Sequence, residues 1–433
     1  MHTFRFLIRA SLLLILVVFF VACAPAPTPI PTAAPPTATL AVQPTQVPAV
    51  QPTSVAATQS AASGKPIRIG GTLPLTGGSA DTGKWVEQGY RYWAEEINAK
   101  GGLLGRPVEL SIADDGSSAD KAVSLLEKAI TVDKVDLLLG GYPGTSAAAQ
   151  MAIAEKYKMV YVSMGGHMKS FQQGFKYSFG GPPLMGEWWY EGIWQWLASL
   201  PPDQRPKTMA VFTMNNLVGL AVKGSTDEGA KRLGINIVVN ELYDLPLATA
   251  EPLVAKAKAA NADILVANSL FPDGVAITKA MKALNYNPKL YLEGVGTLIP
   301  QWQSELQADG NYALSGTPMH SSLPFPGMKD LNDIAKKRFN EPVAPQYFLF
   351  GYAWMQALQR GVEGAKGVDQ DAIANYLRSN EISTIGGKFK FDEKGLPSAY
   401  NYATQVINGK PELVWPKDVK TADIVYPKPA WGK

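Results

Sequence analysis

Three short segments bring glycines together with hydroxyls or an imidazole: Leu73–Gly83 (LPLTGGSADTG), Gly140–Ser146 (GGYPGTS) and Ser163–Met168 (SMGGHM). The first holds hydroxyls but no lysine. It reads either as a cradle for a phosphate or as a tight turn skirting a cleft, and the turn is favoured because glycine serves turns everywhere. In the second, Thr145 or Ser146 can cap the helix that follows. The free amides and positive dipole end of that helix then suit an anion such as a carboxylate. In the third, Gly165 lets a ligand approach the backbone and His167 offers a ring donor, although a lone histidine is more often a structural hydrogen-bonder. All three segments follow strands of one sheet, so all three point to the edge where parallel sheets bind ligands.

Equally informative is the chemistry that is missing. The chain has three histidines (His2, His167 and His320) and one cysteine, Cys23. It carries no HExxH, no Cys/His cluster, no GxSxG elbow, no Walker-type loop and no strand-linked GxGxxG. The expectation is a binding protein rather than an enzyme, with no metal and no cofactor. A net charge of +3 gives no field for nucleic acid. No cysteine follows residue 23, so packing must hold the fold without disulfides.

Stepping outward, the first 22 residues join a basic start (Arg5, Arg9) to an apolar run too short to span a bilayer, which is the pattern of a signal peptide. Phe20-Val21-Ala22-Cys23 resembles a bacterial lipobox, making Cys23 the expected lipidation site and placing the rest outside the cytoplasmic membrane, anchored to it. Residues 23–64 are Pro/Thr/Ala-rich and read as an extended spacer.

From Lys65 strands and helices alternate. The expected strands include Pro66–Leu73, Val108–Ala113, Val135–Leu139 and Met159–Ser163, with helices at Lys84–Lys100, Asp120–Ile130 and Thr145–Tyr157 between them. The alternation restarts after Phe179–Pro183. Helix is expected at Glu187–Leu200, Gly219–Leu233, Glu251–Ala260 and Asp273–Leu284, and strand at Met209–Thr213, Ile235–Leu242, Ile264–Asn268 and Lys289–Leu292. Trp189, Ile193 and Trp196 share one helix face and read as core, while Trp188 or Tyr190 could turn to a cleft. Tyr400–Ile407 and Glu412–Trp415 read as a hairpin closed at Asn408-Gly409. Two runs of alternating elements imply two doubly wound α/β lobes.

Several of these segments carry a family likeness. GGTLPLTGGSADTGKWVEQGYRYWAEEINAKGGLLGRPVELSIADD, then GGYPGTSAAA, YVSMGGH and Phe391–Gly395, resemble the leucine/isoleucine/valine-binding type of periplasmic receptor, the substrate-binding component of ABC importers. The resemblance runs from Lys65 onward. It implies two Rossmann-like lobes joined by three crossovers, near Gly181, Gly316 and Lys388: lobe 1 from 65–181 and 317–388, lobe 2 from 182–316 and 389–433. It further implies a monomer that hands its solute to a membrane permease. A ligand carboxylate would rest near Gly144, Thr145, Gly165 and His167, an ammonium on Glu293, and a side chain against Tyr347. Where such receptors place a serine and a threonine for the carboxylate, this chain has Gly144 and His167. Thr82, Val218 and Leu270 stand where cleft tyrosines are expected. An aromatic or other small organic acid is therefore the alternative ligand, and a sensor of the same fold the alternative role.

Overall fold

A computed structural model describes residues 62–398 and 402–432. The leader, Cys23 and the spacer through residue 61 lie outside the described residues, as does Tyr400.

The first half opens with β1 (Ile67–Leu73), α1 (Ala80–Ala99), β2 (Val108–Asp114), α2 (Ala119–Thr131), β3 (Leu137–Leu138), α3 (Gly144–Lys156), β4 (Tyr161–Gly166) and β5 (Ser178–Met185). Its sheet runs β2-β1-β3, all parallel, with Ile67 opposite Val108 and Ile69 opposite Leu137, while β4 and β5 form a separate parallel pair. The expected strand at Val135–Leu139 contracts to two paired residues.

The second half contains α4 (Glu191–Ser199), β6 (Thr208–Met214), α5 (Leu217–Leu233), β7 (Asn236–Tyr243), α6 (Glu251–Ala259), β8 (Ile264–Asn268), α7 (Phe271–Ala283), β9 (Leu290–Glu293), α8 (Gln301–Leu306) and β10 (Ala313–Thr317). Every residue of β8, β9 and β10 is buried, as a parallel sheet covered on both faces requires. The chain then returns to the first half through α9 (Met328–Phe339), α10 (Gln346–Ala365), α11 (Gln370–Ser379) and the β11 (Glu381–Thr384)–β12 (Gly387–Lys390) hairpin. It ends in the second half with β13 (Tyr402–Ile407) and β14 (Lys410–Trp415). The second sheet runs β14-β13-β10-β9-β8-β6-β7, with β13 antiparallel to both its neighbours. The result is two α/β lobes with three chain crossings, after β5, after β10 and after β12.

One expectation fails in the middle. The helix read over Glu187–Leu200 is a short 3-10 turn, Gly186–Trp188, followed by α4 from Glu191. Trp189, Ile193 and Trp196 are nonetheless buried, and so is Tyr190. The break has a packing reason: a Cβ at Gly316 would lie 1.4 Å from the Trp189 carbonyl oxygen, so the turn presses directly on β10 at a residue that must be glycine. A similar close approach joins α1 to α10. A Cβ at Gly89 would meet the Phe348 carbonyl at 2.3 Å, and one at Gly351 the Val86 carbonyl at 2.4 Å.

Candidate functional site

The paired Asp114 and Asp115 act on loops, not on a ligand. Asp115 is buried and accepts from Thr72 Oγ1 (2.9 Å) and the Ser117 amide (3.0 Å). Asp114 accepts from Thr76 Oγ1 (2.7 Å) and from the amides of Leu75 and Gly116. These bonds, the Thr76 hydroxyl foremost, pull the Asp114 carboxyl down to about 2. Both glycine-rich turns at the edge of β1 and β2 are thereby held in place.

The Gly140–Ser146 loop is pinned from beneath. Tyr90 donates to the Gly140 carbonyl (2.6 Å), the Gly141 amide donates to the Tyr161 hydroxyl (2.7 Å), and that hydroxyl donates to Gln150 Oε1 (2.6 Å). Contrary to expectation, neither Thr145 nor Ser146 caps α3. The helix starts at Gly144 with Pro143 as its N-cap, and no side chain closes the end. The amides of Gly144, Thr145 and Ser146 belong to the first turn, where no helical carbonyl can accept from them. The Ser146 hydroxyl is buried and has no protein hydrogen-bond partner. This end is therefore a concentrated donor pole.

That pole faces a cavity of about 380 Å³ between the two lobes, within the usual small-molecule range of about 300–1,000 Å³. The first lobe contributes Gly78, Ser79, Gly116, Ser117, Tyr142–Thr145, Met164 and Tyr347. The second contributes Trp189, Met214, Asn216, Val218, Leu245, Pro246, Leu270, Pro272, Asp273 and Val295. Of the residues named from sequence, Gly144, Thr145, Val218, Leu270 and Tyr347 line it together. Among the described residues, Thr82, His167 and Glu293 do not. Thr82 is buried behind the wall, donating to the Ser79 carbonyl (2.9 Å). Burial raises the Tyr142 phenol, an upward push that the neighbouring Thr82 hydroxyl moderates. Gly165 pairs with Leu184 inside the β4–β5 ladder. The buried His167 ring has Nε2 3.1 Å from Ser170 Oγ, and desolvation lowers its pKa against the opposing pull of Glu187.

Glu293 ends β9 and is fully buried. Its carboxylate accepts from Ser269 Oγ (2.8 Å) and the Thr297 amide (3.2 Å), and a Cβ at Gly274 would strike it at 2.3 Å. Burial nevertheless dominates and pushes the group up to about 8. Its bonding partners, the Ser269 hydroxyl and the Thr297 amide, are neutral donors. Four buried tyrosines feel its charge: Tyr190, Tyr243, Tyr291 and Tyr347 are all raised, first by burial and then in part by Glu293. The Tyr190 hydroxyl has no protein partner, whereas the Tyr347 hydroxyl is coupled to that of Tyr142, and both Tyr142 and Tyr347 line the cavity. The arrangement can hold a cation at one pole and an anion at the other.

Sequence reasoning missed Asp273, a buried acid on the cavity wall. Its Oδ1 accepts from the Leu247 amide (3.0 Å), and burial raises its pKa. The signal was available: Asp273 follows β8 by a few residues, at the same strand end as Leu270. It also missed the contact between the lobes made by the Trp85 indole, which donates to Gln301 Oε1 (3.0 Å).

Two lobes closing on a cavity with opposed donor and acceptor poles define a solute-binding class of protein. A family model described as periplasmic binding protein matches residues 66–411, and the chain belongs to that family. Within it the sequence is similar to a Leu/Ile/Val-binding protein homolog 7 from Brucella abortus, 23% identical over 85% of this chain and 96% of the relative. In fold it matches the branched-chain amino acid transporter substrate binding protein LivJ from Streptococcus pneumoniae, solved in complex with isoleucine (TM-score 0.72, 20% identity, 81% of this chain and 100% of the other). It also matches a solute binding protein of an ABC transporter from R. palustris, solved in complex with benzoate (TM-score 0.73, 16% identity, 84% and 98%).

Proposed function

We propose that this chain is an extracytoplasmic substrate-binding receptor of an ABC importer, anchored by lipid on Cys23, that captures branched-chain or related amino acids without altering them. The observation that carries the reading is Glu293: a buried carboxyl ringed by tyrosines and bonded to neutral donors. Burial keeps that carboxyl protonated while nothing pairs with it, and an α-ammonium at the adjoining cavity wall, by Val295, supplies the charge that lets it ionise. The ligand carboxylate then rests on the first-turn amides of α3 at Gly144 and Thr145, and its side chain meets Val218, Leu270 and Tyr347. Thr82, Gly165 and His167 serve the site from behind these residues.

The lobes follow the boundaries given above, lobe 1 from 65–181 and 317–388 and lobe 2 from 182–316 and 389–433. A solute touching both favours the closed form. Moving closure from 1% to 99% takes about 5.5 kcal/mol, which a few charge-assisted hydrogen bonds at about 1.5–3 kcal/mol each can supply. The closed monomer then docks on its permease.

A second reading, capture of an aromatic acid, is favoured by the rings of Tyr142, Tyr347 and Trp189 around the cavity and by the benzoate-bound relative of this fold. Mass spectrometry of the copurifying solute, followed by calorimetry with leucine, isoleucine, valine and benzoate, separates the two. Binding of benzoate in place of every amino acid would overturn the first.

A further inference from the structure

The cavity between the lobes has a single charged side chain among its described lining residues, and it is Asp273. The α-ammonium and α-carboxylate of the proposed solute leave this acid unused. Asp273 stands in the first turn of α7 and is 4% exposed. Its Oδ1 accepts from the Leu247 amide at 3.0 Å, which is its one protein hydrogen bond among the described residues. Oδ2 accepts from no protein group, yet it is not one of the unpartnered polar atoms sealed from solvent. Because the side chain lines the cavity, that oxygen opens onto it.

The surroundings say what this oxygen would take. No lysine, arginine or histidine stands among the described lining residues. Burial and the Leu247 amide are the influences on the carboxyl, with burial raising it. An acidic group on the solute's side chain would meet an unmatched acid here, whereas an ammonium favours the carboxylate form and pairs with it. The wall on either side is apolar. Leu245 and Pro246 lead up to Leu247, Leu270 and Pro272 lead up to Asp273, and all four line the cavity. A methylene stem lies well along such a surface while its charged head reaches a polar partner.

We propose that Asp273 selects the solute: an α-amino acid with an unbranched side chain that ends in a second amino group, whose ammonium pairs with Asp273 Oδ2. This proposal rests on the reading of the cavity as an amino-acid site and narrows it. Branched-chain amino acids bind without this contact.

The test is calorimetry on the full chain with lysine and norleucine, which differ in the terminal amino group alone. Lysine should bind the wild type at least about tenfold more tightly than norleucine. Asp273→Asn keeps an acceptor for the Leu247 amide and removes the charge, and circular dichroism checks its fold. In that variant the ratio of the two affinities should fall to within about threefold of unity. Equal affinities in the wild type overturn the proposal and leave the amino-acid reading standing. So does a lysine preference that survives Asp273→Asn, or a loss of both ligands alike, which would put the α-ammonium on Asp273. Should the variant fail to fold, the neutral hydroxyl analogue of lysine takes its place, and binding as tight as that of lysine overturns the proposal. If neither amino acid binds at millimolar concentration and benzoate does, the amino-acid reading itself fails and this proposal falls with it.

Discussion

On the proposed reading, an amino acid entering the cavity changes the protonation of Glu293, which lies just behind the wall at Val295. With its carboxyl pushed up to about 8, the unliganded protein at pH 7 holds about 0.9 of a proton there. An ammonium arriving beside it favours the ionised form, so binding should expel about 0.9 proton at pH 7 and almost none above pH 9.5. Calorimetry with leucine in phosphate and in Tris, whose ionisation enthalpies differ, reads that proton as the slope of observed against buffer enthalpy. Glu293→Gln should abolish the slope and weaken binding by one charge-assisted hydrogen bond, about 10- to 150-fold. The same group imposes a sign on stability. Its native pKa lies above the ordinary 4.5, so between 4.5 and 8 the unfolded chain has lost a proton that the native one keeps. The unliganded protein should therefore lose stability as pH rises through that window, by roughly 5 kcal/mol at most from this group. The melting temperature of the wild type should fall between pH 5 and 8 more steeply than that of Glu293→Gln. A zero buffer slope in the wild type, or equal leucine affinity in the variant, would refute the ammonium assignment. Benzoate offers a further contrast: it brings no cation, so it should release no proton and should bind more weakly above pH 8.

Other perturbations follow from contacts already described. Trp85→Phe deletes the indole bond to Gln301 across the lobes and should weaken solute binding by about 2- to 10-fold with little change in melting temperature, seen by calorimetry beside scanning fluorimetry. His167→Ala removes a buried ring that does not line the cavity. Affinity should change less than about threefold, while a buried packing group is lost at a cost of about 1–3 kcal/mol in chemical denaturation. Gly316→Ala drives a Cβ onto the Trp189 carbonyl and should lower stability by about 1–3 kcal/mol or more, read from the denaturation midpoint.

Much of the architecture is legible without coordinates because it rests on local periodicity. The α1 face at Val86, Gly89, Tyr90, Trp93 and Ile97 is buried as its spacing implies, and the uniformly apolar β8 is a central strand. Gly144, Thr145, Val218, Leu270 and Tyr347, far apart in the chain, meet at one cavity, as strand-end loops and the family likeness imply. Errors cluster where contact, not period, decides. The tryptophan-rich segment around Trp189 has helical spacing but yields to the close approach of Gly316. His167 has the chemistry of a ligand contact, yet its ring is turned toward Ser170.

The amino-acid order alone therefore determined the alternation of strand and helix, the two-lobe plan and the sheet edge that faces the cavity, since hydrophobic period and turn residues act over a few neighbours. Only the tertiary structure decided which groups lack partners. Glu293 is buried because β9 carries it into the core, where Ser269 and Thr297 from neighbouring loops supply neutral donors. Burial and partnership are properties of three-dimensional neighbourhoods, and those set the pKa, the charge and the chemistry of each site.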